Sequence, residues 1–259
     1  MKQAPPGGWI PVRKDFVDPA ATRCHARGAK GGRHHGFPEG HAYILRGPDG
    51  HEYPFGADCA RAALAEPAWL DQVPDYTERD AVPRLPDFTD VPPPRRSRKA
   101  TAAELELARR NAATRYVVLR MEKVAAVPRV QPTVRFPALE GVYEQYQRTC
   151  DIGMAQVRRI LAIERSPSTP PRLRATNLLD VYTAHIKLEW LIAGSNSVDN
   201  IRFLRSLHDW LARHLVLTAG QLAAAGIEMH PQAFTAPGIW GPGTEPAPAS
   251  PGYASGSLF

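Results

Sequence analysis

Hydrophobic side chains recur at helical spacing through the second half of the chain. Between Leu139 and Leu161 they fall every three or four positions, which is typical of an amphipathic helix over residues 138–165. The same period occurs in the segments 101–126, 172–194, 198–217 and 218–228. Clusters of proline, glycine or serine separate these segments. The pattern therefore predicts a bundle of four or five helices over residues 101–230.

The first quarter of the chain shows the signals of a hairpin and a short helix instead. Side chains of alternating character over residues 41–47 predict a strand, and Gly-Pro-Asp-Gly at 47–50 is typical of a tight turn. Residues 51–55 predict the return strand, and residues 57–66 predict a helix. We therefore expect an α+β chain, in which a small hairpin-and-helix module over residues 1–66 precedes the helical domain.

Proline marks the segments that lie between and around these units. Residues 1–19 contain four prolines and predict an extended lead-in to the module. Residues 67–100 contain seven prolines and predict an irregular linker. This linker ends at Thr101-Ala-Ala-Glu104, whose spacing predicts a capping box at the start of the next helix. Residues 231–259, with six prolines and five glycines, predict a disordered tail.

Two cysteines frame the N-terminal module. Cys24 and Gly28 match two positions of the zinc-knuckle sequence Cys-x-x-Cys-Gly, whose second cysteine is replaced by Arg27. Cys59 lies at the start of the predicted short helix. With the hairpin between these cysteines, residues 24–64 resemble a degenerate treble-clef-type zinc finger. The resemblance implies a zinc site from which half of the usual ligands are missing.

Histidines are available to complete such a site, because structural zinc is held by four nitrogen or sulfur ligands. If the site still holds zinc, its candidate ligands are Cys24, Cys59, His25 and His34, with His35, His41 and His51 as further candidates. Because His34 and His35 are adjacent, we do not expect both to bind one ion. We favour a module that has lost its metal and is held by hydrophobic residues, so that the knuckle is a remnant and no bound cofactor is expected. A zinc site that has been retained, and cysteines that belong to no such module, are the alternatives. A reactive Cys59 thiol is a further hypothesis, because a helix N-terminus lowers a thiol pKa.

Positive charge is concentrated beside the first helix of the bundle. The chain has a formal charge of +6, and residues 95–135 contain eleven basic residues against three acidic ones. Lysine and arginine side chains that neutralise phosphates give salt-dependent binding without sequence choice. The segment therefore predicts contact with DNA or RNA through Arg95, Arg96, Arg98, Lys99, Arg109, Arg110, Arg115, Arg120 and Lys123. The alternative is a solvated linker followed by an exposed helix face.

No other part of the sequence assembles a catalytic set. His185 and Glu189 have ligand spacing on one predicted helix, but no second pair accompanies them, so we interpret them as a surface pair. His208 and His214 are interpreted as packing or surface residues. We expect a non-enzymatic accessory protein that binds nucleic acid. The alternative is a protein-interaction adaptor, whose helical faces form a homodimer or a contact with another protein.

Composition predicts where such a protein is found. Three cysteines are typical of a reducing cytoplasm and not of a disulfide framework. The sequence contains no run of about 18 apolar residues, so we expect no membrane-spanning helix. The N-terminal residues lack the apolar stretch of a secretory signal. We interpret the excess of arginine over lysine as the codon bias of a GC-rich bacterium. These features predict a cytoplasmic bacterial protein without membrane contact.

Overall fold

The computed structural model describes residues 8–26, 34–79 and 101–240. It confirms the α+β class, because a three-stranded antiparallel sheet precedes a set of helices. The strands, in sheet order, are β1 (Ile10–Phe16), β2 (His41–Arg46) and β3 (Glu52–Phe55). The α-helices are α1 (Ala57–Ala63), α2 (Ala102–Val118), α3 (Glu140–Thr149), α4 (Met154–Arg165), α5 (Ala175–Gly194), α6 (Val198–His214) and α7 (Ala219–Ala225). A π-helical turn, Leu119–Lys123, continues α2.

The predicted hairpin forms between β2 and β3. Arg46 pairs with Glu52 across the turn, and the backbone N–H of Gly50 donates to the carbonyl of Gly47 at 3.0 Å. Gly50 has a φ of 81°, a left-handed conformation that favours glycine. The turn residues that are visible in the sequence therefore set the register of the two strands.

The first strand lies in the segment whose prolines predict an extended lead-in. β1 pairs antiparallel with β2, with an irregularity in register between Pro11 and Arg13. Its buried side chains are those of Val12 and Asp15. Because one of the two inward side chains is a carboxylate, the strand lacks the apolar alternation by which a sequence reveals a strand.

The capping sequence predicts where a helix begins better than the spacing of hydrophobic residues predicts where a helix ends. The capping box of Thr101 and Glu104 is confirmed at the start of α2. The segment 138–165, however, forms two helices and not one. Cys150 takes the left-handed conformation with a φ of 52° after α3, and Gly153 caps the start of α4. Both helices pack against α2. Their hydrophobic residues therefore keep the same spacing across the break at Cys150, and the spacing alone predicts one helix.

Part of the proline-rich stretch 67–100 is packed into the fold. A 3-10 helix, Pro67–Gln72, follows α1. The side chain of Tyr76 is fully buried in the helical core, and its backbone N–H donates to the Lys14 carbonyl at 3.0 Å. The packed part of the chain therefore extends at least to residue 79, into the predicted linker. The rest of the predicted linker lies outside the described residues.

The beginning of the predicted tail is also packed. Ala233, Phe234 and Ile239 follow α7 and are buried in the helical core. The backbone N–H of Phe234 donates to the carboxylate of Asp180, which also accepts from Arg79 Nε at 3.0 Å. Residues 231–240 therefore close over the helices, and the remainder of the tail lies outside the described residues.

The buried hydrophobic residues form one large cluster and one small cluster. The large cluster fills the space among the helices, with α5 contributing the fully buried Leu178 and Leu188. The small cluster lies beneath the sheet and consists of Cys24, Phe37, Ala42, Ile44, Leu45, Phe55, Ala60, Leu64 and Leu70. Within the described ranges, no helix is long and hydrophobic enough to cross a bilayer.

A buried carboxylate joins the sheet to the helices. Asp15 on β1 accepts hydrogen bonds from Arg13 Nε at 2.9 Å, from Lys123 Nζ at 2.6 Å and from the Tyr182 hydroxyl at 2.9 Å. Burial alone raises the pKa of this carboxyl, but the positive charges of Lys123 and Arg13 outweigh it, so that the pKa lies below its ordinary value. The ionised carboxylate therefore connects β1, the π-helical turn and α5.

We expect Asp15→Asn to lower the free energy of unfolding by about 3 kcal/mol at pH 7, because it removes the buried carboxylate that Lys123 and Arg13 share and leaves the half-buried ammonium of Lys123 with the more exposed Glu122, at 3.2 Å, as its ion-pair partner. The folded pKa of Asp15 is depressed, so the carboxylate stabilises the fold above its ordinary pKa of about 4. That stabilisation is lost as the pH falls through the lowered folded pKa. Urea denaturation of wild type and variant across this range measures the difference.

The matched control is Asp199→Asn, which removes a carboxylate that is 90% exposed and pairs with Arg202 on one face of α6. Exposed pairs contribute little, so this variant should unfold at the same urea concentration as the wild type. Equal stability of Asp15→Asn and Asp199→Asn at pH 7 would contradict the role assigned to Asp15.

Candidate metal centre

Three segments of the N-terminal module meet at Cys24. The backbone N–H of Cys24 donates to the carbonyl of His35 at 2.9 Å, which holds these two residues opposite each other. The backbone N–H of His25 donates to the Pro54 carbonyl at 2.8 Å and attaches the same segment to β3. Helix α1 starts directly after β3 and carries Cys59 in its first turn. The hairpin and the helix start therefore converge on one place.

The ligand atoms at this place have distances suited to a shared metal ion. The potential ligand atoms of Cys24, His35 and Cys59 all lie within 4.8 Å of one another. His35 Nε2 is 3.4 Å from Cys59 Sγ. Zinc bonds of about 2.3 Å to sulfur and about 2.05 Å to nitrogen, at a tetrahedral angle, would separate these two atoms by about 3.6 Å. The observed separation is close to that value.

The surroundings of the two sulfur atoms differ. Cys24 is buried, and its Sγ accepts a hydrogen bond from the backbone N–H of Gly56 at 3.4 Å. Cys59 is half-buried, and burial together with the neighbouring Cys24 sulfur raises the pKa of the Cys59 thiol. Two adjacent thiolates repel each other, and a divalent cation between them removes that repulsion. The raised pKa of Cys59 does not favour a reactive free thiol.

A glycine leaves room for the imidazole of His35. A Cβ atom built on Gly56 would lie 2.5 Å from Cε1 of His35, which is closer than any normal contact. The ring therefore packs directly over the backbone of Gly56, and its Nε2 reaches Cys59. Gly56 has ordinary extended backbone angles, so the requirement for glycine here is one of space.

The structure groups His35 with the two cysteines and places His25 and His34 elsewhere. The ring of His25 lies against those of Trp9 and Tyr53, with centroids 5.3 Å and 4.1 Å away. His34 Nδ1 is 2.6 Å from the backbone carbonyl oxygen of Cys24. Adjacent histidines point to opposite sides of an extended segment. The backbone hydrogen bond between Cys24 and His35 sets this segment so that the ring of His35, and not that of His34, faces the sulfur atoms.

The predicted nucleic-acid residues divide into three groups. Arg95, Arg96, Arg98 and Lys99 lie outside the described residues. Arg109 is exposed on α2, and Arg110 pairs with Asp151 and Glu106. The other three predicted residues, Arg115, Arg120 and Lys123, have side chains directed into the protein.

The inward residues are held by specific acceptors. Arg120 is buried and donates to the Val134 carbonyl at 2.7 Å and to the Tyr116 hydroxyl at 2.7 Å. Arg115 is buried and donates to the Glu78 carbonyl at 2.7 Å. Lys123 binds Asp15 as described above. These charges serve the fold, so the local excess of positive charge in the sequence is larger than the excess at the surface.

A second group of potential ligands lies between α5 and α6. His185 and Glu189 are one turn apart on α5, and His208 approaches them from α6. His185 Nδ1 is 2.6 Å from His208 Nε2, and the same nitrogen of His208 is 3.4 Å from Glu189 Oε1. Burial, and then the proximity of His208, lower the pKa of His185 to about 4. The sequence placed His185 and Glu189 on one helix face but led us to interpret them as a surface pair, and it gave no signal that His208 would join them.

Large hydrophobic side chains that are exposed cluster where α5 ends and α6 begins. Within the described ranges these are Leu191, Val198 and Phe203, of which Val198 is 71% exposed. The other large hydrophobic residues of the helical stripes are buried or partly buried. These three side chains are the exposed hydrophobic surface that the described residues offer to the predicted helical interface.

The chain was compared with protein-family models, with curated proteins and with solved structures, and none of the three comparisons finds a match.

Proposed function

We propose that this chain is a zinc-binding accessory protein, in which Cys24, His35 and Cys59 hold one Zn²⁺ that fastens the N-terminal module. The observation that carries the proposal is the approach of His35 Nε2 to Cys59 Sγ at 3.4 Å beside the sulfur of Cys24. Thiolate and imidazole are the ligands that zinc prefers in proteins.

The small hydrophobic core of the module gives the metal a physical role. Nine buried residues form the cluster beneath the sheet, and one of them is Cys24 itself. A unit with so small a core gains much of its stability from a cross-link or a metal. Zinc would tie the knuckle segment to α1, and its binding free energy would add to the stability of the module.

The site leaves one tetrahedral position for a ligand other than these three. His35 is exposed, so water can reach the site and could supply the fourth ligand. A gap in the protein ligands is consistent with the incomplete knuckle in the sequence. A zinc ion that ties two segments together in this way has a structural role, which suits a binding or accessory protein.

We expect Cys59→Ser and His35→Ala each to bind one Zn²⁺ fewer per chain than the wild type, because each removes a ligand. Full-length protein is loaded with zinc, dialysed against metal-free buffer and measured by inductively coupled plasma mass spectrometry. The matched controls are Cys150→Ser, which changes the thiol at the end of α3, and His51→Ala, which changes an exposed histidine of the hairpin turn.

Both controls should retain the zinc content of the wild type. With Co²⁺ as the probe, the wild type and Cys150→Ser should show the near-ultraviolet charge-transfer band of sulfur-bound cobalt, and Cys59→Ser should lack this band. Unchanged zinc content and unchanged cobalt spectrum in Cys59→Ser would rule out the proposed site.

We expect Gly56→Ala to weaken zinc binding by about 10- to 100-fold, the range typical of changes that misplace a ligand without removing it. The new methyl group would occupy the place of the His35 ring. Gly141→Ala is the control, because nothing lies within 4 Å of a Cβ atom at that exposed helical position. Competition with a chromophoric chelator measures both affinities, and equal values would show that Gly56 does not position His35.

Nucleic-acid contact stays a prediction of the local charge, and it concerns Arg109 and the segment 95–99. The test is a titration of DNA and RNA binding against salt concentration. If the contact exists, replacement of all four basic residues of 95–99 by alanine should weaken binding and flatten its salt dependence. Binding that is unchanged in this variant would contradict the prediction. Arg115 and Arg120 are unsuitable for this test, because their replacement disturbs the fold.

A further inference from the structure

The residues between α5 and α6 have the composition of a metal site without sulfur. Residues four apart on a helix lie on the same face, so the side chains of His185 and Glu189 point to the same side of α5. Helix α6 packs along this side and brings His208 within hydrogen-bonding distance. Two imidazoles and one carboxylate form a donor set that holds zinc or ferrous iron in other proteins.

The burial of the histidines favours the form that binds metals. His208 is only 6% exposed, and His185 is mostly buried beside it. Two imidazolium rings cannot face each other at 2.6 Å, so at least one ring is neutral there. A neutral imidazole presents a nitrogen lone pair, and Glu189, with its side chain 51% exposed, supplies the negative charge at the solvent side. A divalent cation that displaces any remaining ring proton would therefore meet two imidazole lone pairs and one anionic ligand.

We propose that His185 Nδ1, His208 Nε2 and the carboxylate of Glu189 bind a divalent transition-metal ion such as Zn²⁺. Metal–nitrogen bonds of about 2.05 Å would set the two nitrogens about 3.3 Å apart. The rings therefore separate by about 0.7 Å when the ion enters, and the half-exposed Glu189 side chain closes over it. The ion would then link α5 to α6 beside the exposed end of the pair.

The competing explanation is a hydrogen bond without metal. One ring nitrogen can donate a hydrogen bond to the other, and Glu189 can accept one from His208 Nε2. Both arrangements place the same atoms close together, so metal binding itself must be measured. The experiment uses full-length Cys59→Ser as the background, because this change removes the sulfur site and leaves the three α5–α6 residues intact.

We expect this background protein to bind one Co²⁺ or Zn²⁺ per chain, with cobalt d–d absorption and no sulfur-to-cobalt charge-transfer band. Adding Glu189→Gln should weaken the metal affinity by at least about tenfold. Loss of a residue that only hydrogen-bonds to a metal ligand already has an effect of about that size, and loss of a ligand should cost no less. Adding His208→Gln should abolish binding. His214→Gln is the matched control, because this histidine lies on the same helix and packs on Trp210.

His208 is buried, so its replacement can disturb the fold, and near-ultraviolet circular dichroism checks each variant. Glu189 is exposed at the surface of α5 and provides the independent test. No Co²⁺ or Zn²⁺ binding by the Cys59→Ser protein, or equal affinity with and without Glu189→Gln, would overturn the second site and leave the hydrogen-bonded pair. Neither result affects the sulfur site, whose own test depends on Cys59 and His35.

Discussion

The carboxylate of Asp15 is buried where β1 meets the helices, and it is surrounded by donors because a buried charge without partners costs several kcal/mol. Lys123 and Tyr182 reach it from the helical side, and Arg13 reaches it from its own strand. The geometry can be satisfied only when the sheet lies against the π-helical turn and α5. This requirement fixes how the small module is placed, and the candidate metal centre is built on that module.

Hydrophobic burial is divided unequally between the two parts of the fold. The helices share one extensive core, to which Tyr76 and Phe234 contribute from outside the helices. The sheet covers only a small cluster, so its stability depends more on the turn, on the Asp15 contacts and on the proposed zinc ion. The proposed metal centre is therefore placed in the part of the molecule where a cross-link has the largest effect.

The basic segment shows why charge in a sequence differs from charge at a surface. Arg115 lies in the second half of α2 and Arg120 in the π-helical turn that follows, where other elements surround the helix. Their guanidinium groups donate hydrogen bonds to backbone carbonyls and to a tyrosine hydroxyl. Arginine suits this role because its five donors can serve several acceptors at once. Helical periodicity alone did not distinguish this inward face from a solvated one, because both carry arginine.

The sequence by itself determined the features that depend on neighbouring residues: the helical segments, the capping box at Thr101 and the hairpin turn at 47–50. It left open β1 and the break at Cys150, because a buried carboxylate and a left-handed residue do not change the local pattern. Only the tertiary structure decided that His35 joins the cysteines and that His208 meets α5. These partners are 24 and 23 positions away from Cys59 and His185, so their proximity arises from packing between elements and not from spacing along the chain.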